Sequence, residues 1–232
     1  MPADIREFHD AVALARALAM HVAQTLSAAV VARGEASLAV SGGRTPVRFF
    51  EALSERPADW SRVTITLVDE RWVPPVSDRS NAGLVARHLI RGPASEARFV
   101  PLTDGLSTPE ARRDTVERTL ASVPWPLDVV VLGMGDDGHT ASFFPAGDSL
   151  ARCLDPSNPH RVEAIRAPGA GEPRITLTLS AVLAAGTRII HFEGGAKRAV
   201  LDRALLPGPA EELPIRAVLE SSREPVPVFT CP

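Results

Sequence analysis

Four times along this chain an apolar run of strand length ends in a loop rich in glycine or charge. "ASLAV" leads into "SGGRTP", "VTITLV" into "DERWVPPVSDRSN", "LDVVVL" into "GMGDDGHTASFFP", and "TRIIHF" into "EGGAK". Helical patterns are interleaved with these runs. That alternation makes consecutive strands run in the same direction, with the crossing helices covering both faces. The fold class is therefore α/β, a mostly parallel sheet flanked by helices. In such sheets ligands lie beyond the carboxyl ends of the strands, so chemistry is expected in the loops at 41–46, 69–81, 133–145 and 193–197.

Helical spacing of apolar residues predicts one long helix over residues 5–33, stopped by Gly34. In the first glycine loop Thr45 is the expected N-cap, with Pro46 at the first helical position. Further helices are predicted from Asn81 to Arg91, after a cap at Ser107 or Thr108, over "SAVLAAG", and after "EGGAK". "RVEAI" and "RITLTL" read as additional strands, and the stretch from Leu206 onward is rich in proline. With no internal repeat and no low-complexity linker, residues 1–232 are expected to form a single domain.

Composition narrows the partners. A net charge of −3 with scattered basic residues, and no tyrosine, argues against a nucleic-acid surface. No apolar stretch is expected to reach the ~20 residues of a membrane span, and "MPADIREFHD" is too charged for a signal peptide. A cytoplasmic monomer that binds neither nucleic acid nor membrane is the expectation. Cys153 and Cys231 stand far apart, outside any C-x-x-C pattern, so neither a disulfide framework nor a thiolate zinc site is indicated.

"SGGRTP" offers backbone N–H groups, unobstructed at Gly42 and Gly43, at a helix N-terminus that favours an anion. A phosphate fits, and so does a tight turn with a capped helix. In "DERWVP" Arg71 could hold a phosphate or carboxylate, oriented by Asp69 or Glu70; taken alone, a solvated ion-pair cluster is the simpler reading. Gly133, Gly135 and Gly138 match dinucleotide spacing, yet two aspartates would face the pyrophosphate and no acidic residue closes a second strand at the right distance. What remains is Asp137 two residues before His139, a carboxylate placed to orient an imidazole base. The same pair could ligate a metal with His160 or His191, but no paired-histidine spacing supports that, and His191 sits in an apolar strand. His9, His21 and His88 fall in helical segments and read as surface or boundary residues. Arg174 and Lys197 place two more cations at a strand start and a helix start.

Taken in order, "SGGRTP", "DERWVP" with Ser80 and Asn81, "GMGDDGHTASFFP", and "RITLTL" followed by "GGAKR" resemble the 6-phosphogluconolactonase family over residues 41–198. That family is related to glucosamine-6-phosphate deaminase, and the resemblance implies a modified Rossmann-like sheet of the sugar-phosphate isomerase/deaminase type. It implies hydrolysis of 6-phospho-D-glucono-1,5-lactone to 6-phosphogluconate in the oxidative pentose phosphate pathway, without metal or organic cofactor. Carried over by position, His139 activates water, Asp137 orients the imidazole, and Arg71 contacts substrate and the developing oxyanion. Gly42, Gly43, Thr45, Arg174 and Lys197 hold the phosphate, and Arg44, Asp69 and Asn81 join the substrate site. The chain departs from the family at Arg44, often a small residue there, and at Phe143, where leucine is usual.

Two alternatives stay open. The related deaminase carries a glutamate just before the proline that closes the third motif, where this chain has Phe144. A non-catalytic sugar-phosphate sensor would share the fold, but the Asp137/His139 pair is present and no helix-turn-helix segment is expected within residues 1–232.

Overall fold

Strands β2 (Ala36–Val40), β3 (Val63–Leu67) and β6 (Val129–Leu132) are buried at every residue, as strands covered on both faces must be; β6 is a continuous apolar run, whereas Ser37 in β2 and Thr64 and Thr66 in β3 are polar residues buried with their strands. The structure is a computed structural model and describes residues 3–103, 107–222 and 224–232. Before β2 come β1 (Ala3–Glu7) and α1 (Ala11–Arg33). Between β2 and β6 lie α2 (Val47–Ser54), β4 (Asp69–Arg71), α3 (Asn81–His88), β5 (Arg98–Val100) and α4 (Pro109–Leu120). After β6 follow α5 (Leu150–Cys153), β7 (Val162–Ile165), β8 (Arg174–Leu177) and α6 (Leu179–Leu183), then β9 (Thr187–Glu193), α7 (Gly195–Ala204), α8 (Ile215–Ser221) and β10 (Val226–Cys231).

Seven strands form one sheet in the order β1-β10-β9-β6-β2-β3-β5, and every neighbouring pair in it is parallel. The α/β expectation therefore holds. Strands β4, β8 and β7 make a separate antiparallel sheet, so Asp69–Arg71 is a short strand and not part of a loop.

Local signals failed where remote pairing decided the outcome. Residues 5–10 are not helical: Ile5 and Phe8 fit a helical period, but β1 pairs with β10 from the far end of the chain. Asp10 caps α1 by accepting a hydrogen bond from Ala13 N, which also puts His9 in the turn and outside any helix. Thr45 is not the cap of α2, since Pro46 takes that position without a side-chain cap and the helix starts one residue later. α3 stops at His88, short of Arg91, because Pro93 enforces a separate 3-10 turn at Gly92–Glu96. Strand β5 and the two elements of the proline-rich stretch, α8 and β10, carry no clear local pattern and were not foreseen.

By length and composition α1 is long and apolar enough to cross a membrane, contrary to the expectation that no stretch was. In this fold it is a core helix. Leu14, Leu18, Val22 and Leu26 are fully buried, and the helix packs on α2, β2 and β10.

Candidate active site

Of four adjacent strands, β2, β3 and β6 end within a residue of one another, and β9 runs on past them to Glu193 along the same edge. Val40 lies opposite both Val131 and Leu67, and Leu132 opposite Ile190. Their loops are consequently tied side by side: Ser41 N donates to Val131 O (3.0 Å), Gly133 N to Ser41 Oγ (3.0 Å), and Thr140 Oγ1 to Gly133 O (2.8 Å). A cavity of about 450 Å³ opens over these ends. Gly42, Gly43, Arg44, Thr45, Asp69, Arg71, Asn81, His139, Arg174 and Lys197 all line it; Asp137, alone of the residues expected at the site, does not, and is exposed to solvent beside His139.

The glycine loop is shaped by what crosses it. A Cβ on Gly42 would lie 1.9 Å from Asn81 Oδ1, so only glycine lets α3 approach, and Gly43 adopts φ +96°, a left-handed conformation that suits glycine.

The acidic pair of the second motif divides its work. Glu70 is fully buried and turned to α3: its carboxylate accepts from Asn81 N (2.8 Å), Ala82 N (2.7 Å), Ser80 Oγ (3.1 Å) and Arg71 N (2.7 Å). It serves the helix start and does not line the cavity. Burial pushes its pKa up, opposed by the backbone N–H groups of Ala82, Asn81 and Arg71. Asp69 faces the cavity, where Ser142 Oγ donates to it at 2.5 Å and Arg174 Nη1 stands at 3.8 Å. Asn81 Nδ2 donates to Asp69 O at 2.8 Å.

Pairing of β4 with β8 sets Arg71 directly opposite Arg174. Like charges in that register repel, and an anion between them relieves the repulsion. Burial lowers the pKa of Arg174 while the Asp69 carboxylate opposes the shift, and the guanidinium stays charged. Arg71 Nη1 donates to Arg79 O (2.7 Å) and Arg174 Nη2 to Ala170 O (2.6 Å), whereas Arg71 Nε, Arg174 Nε and Asn81 Oδ1 are buried without a hydrogen-bond partner.

His139 is built by its own loop. Gly135 N donates to His139 O (2.9 Å), Gly138 takes φ +75°, and a Cβ on Gly135 would lie 2.2 Å from the imidazole, so the ring rests against the glycine backbone. Asp137 Oδ1 is 2.5 Å from His139 Nδ1 and also accepts from His139 N (3.1 Å). Burial raises the Asp137 pKa, but the hydrogen bond and charge of His139 outweigh it and hold the carboxyl below its ordinary value. With Nδ1 committed to the carboxylate, the proton belongs on Nδ1 and the basic lone pair on Nε2.

Lys197 stands in the first turn of α7, after Gly194 at φ +100°. His191, also in the cavity wall, has its pKa lowered to about 3 by burial and by Lys197, so it is neutral near pH 7. His160 lines a different cavity, with Arg113 and Glu163. Among the described residues no group of three or more His, Cys, Asp or Glu side chains could hold a metal ion.

Some participants had no usable signal. Ser142, which holds Asp69, looks like any small residue in "TASFFP". Leu213 and Ile215 lie 74 or more residues beyond His139, yet Ile215 N donates to Gly138 O (2.9 Å), and a Cβ on Gly138 would lie 2.6 Å from Leu213. The proline-rich stretch therefore braces the His139 loop.

Over residues 9–226 the chain matches the family described as Glucosamine-6-phosphate isomerases/6-phosphogluconolactonase, and it belongs to that family. It is 52% identical to a 6-phosphogluconolactonase of Rhizobium meliloti (strain 1021) over 232 residues, covering 100% of both chains. It is 45% identical to a 6-phosphogluconolactonase of Pseudomonas aeruginosa, over 89% of this chain and 87% of that one. Its fold is similar to the crystal structure of a 6-phosphogluconolactonase from Shewanella baltica OS155, with a TM-score of 0.96 and 43% identity over 99% and 98% of the two chains.

Proposed function

We propose that this protein hydrolyses 6-phospho-D-glucono-1,5-lactone to 6-phospho-D-gluconate, the lactone-opening step of the oxidative pentose phosphate pathway. The observation that carries the reading is the Asp137–His139 pair at 2.5 Å, set in the same cavity as Arg71, Arg174 and Lys197. His139 Nε2 takes a proton from water as the water oxygen attacks the lactone carbonyl. Arg71 faces the oxyanion that develops. Collapse breaks the ring C–O bond, and the imidazolium returns the proton to the leaving ring oxygen. No covalent nucleophile is required, because a strained lactone is already an activated ester. The glycine loop with Arg44 and Thr45, together with Arg174 and Lys197, holds the phosphate, while Asp69 and Asn81 contact the sugar.

Within the family, Phe144 favours lactone opening over deamination: ring opening and carbon-to-carbon proton transfer need further acid/base groups, and a phenyl ring supplies none. The deciding experiment compares two substrates. Freshly generated lactone, corrected for spontaneous opening, should be consumed rapidly, and glucosamine 6-phosphate should release no ammonia; comparable ammonia release would reverse the assignment. We further read residues 1–232 as one domain, acting as a cytoplasmic monomer without metal or organic cofactor.

A further inference from the structure

Phe144 is buried in the cavity wall and touches two groups of the site. Its ring stacks on the His139 imidazole, with centroids 4.2 Å apart and planes 30° from parallel, and Arg174 Cζ stands 5.4 Å from the centroid of the same ring. A histidine held only through Nδ1 can still swing about that hydrogen bond, so a second constraint on the ring is needed. Gly135 lies against Cε1 and Nδ1, and Phe144 covers the ring face. Being apolar, Phe144 offers no acceptor to Nε2. A carboxylate or amide at this position would compete with Asp137 for the imidazole proton.

We propose that Phe144 is a positioning residue: it fixes the plane of His139, so that the Nδ1–H bond to Asp137 that sets the tautomer stays aligned and the Nε2 lone pair stays open, and its π face shelters the imidazolium while the base holds the proton of water. The proposal rests on the lactonase reading for its kinetic consequence, but its structural half can be read without turnover.

The test uses F144L and F144Y in the full chain, with F144M as a second apolar variant should F144L fail to fold. Imidazole nitrogen shifts of His139 in the free protein report which nitrogen carries the proton. The wild type and F144Y should show the Nδ1–H form alone, and F144L or F144M a mixture of tautomers. On the lactone, F144L should lose about tenfold in kcat, the scale of one sheltered cation–π contact, with KM within about twofold and F144Y restoring most of the rate. A purely structural role would lower the melting temperature and raise KM while leaving the tautomer unchanged, and that pattern overturns the proposal. If the wild type fails to open the lactone, the functional reading falls, and the nitrogen shifts alone still decide for or against Phe144.

Discussion

His139 and Lys197 work at opposite ends of the proposed substrate, so their losses should look different. His139→Asn keeps size and polarity but removes the base, and kcat should fall about 10²-fold or more with little change in KM. Lys197→Ala removes a charge-assisted contact worth roughly 1.5–3 kcal/mol and should act chiefly on KM. A lactone without phosphate separates the two: Lys197→Ala should cost little there, whereas His139→Asn should still abolish most turnover. A folded His139→Asn enzyme with wild-type kcat would move the base to Asp69 or Asp137. These residues were legible in the sequence because chemistry-bearing side chains stand out against glycine and alanine. The division between Asp69 and Glu70 was not legible, since which of two neighbouring carboxylates faces the cavity depends on the pleat of a strand, β4, whose partner β8 lies far along the chain (Asp69 pairs with Thr176 and Glu70 with Ile175).

At the scale of an element, the start of α3 depends on Glu70. Glu70→Gln would turn an amide donor toward groups that are all donors themselves, costing about 1–3 kcal/mol of stability, and should raise KM by loosening Asn81 behind the glycine loop. The pH dependence has a definite sign. Because the folded-state pKa of Glu70 is raised above 4.5, the native state holds its proton more tightly than the unfolded chain does. Stability from this group is therefore greatest below pH 4.5 and declines as pH rises from there through the raised value. Glu70→Gln should remove that decline, which denaturant unfolding at a series of pH values measures; an unaltered slope would assign it to another group. Helix caps of this kind, built from a neighbouring strand, escape sequence reading. Caps within one segment, such as Thr108 at the start of α4 and Ser80 at α3, follow the expected local rule.

On the scale of the whole molecule, the parallel sheet was legible from buried apolar runs, and its closure was not. β10 lies between β1 and β9, and neither its short apolar stretch nor the prolines before it announce an interior strand. Truncation after Ser222 would strip β1 of its partner and bare the edge of β9. The expected result is loss of a cooperative thermal transition together with aggregation. A soluble truncated protein that melts like the full chain would show β10 to be dispensable.

The placement of β10 also dictates a timetable for synthesis. While the ribosome is still translating, β1 is among the first segments to emerge and can pair with nothing made before residue 226, so it must wait, unpaired, for almost the whole length of the chain. The segment that braces the His139 loop, around Leu213 and Ile215, arrives nearly as late. A nascent chain therefore acquires its sheet boundary and its working catalytic loop close together in time, and a ribosome stalled short of residue 213 carries a polypeptide with every proposed catalytic side chain but not the tail that holds their loop in place.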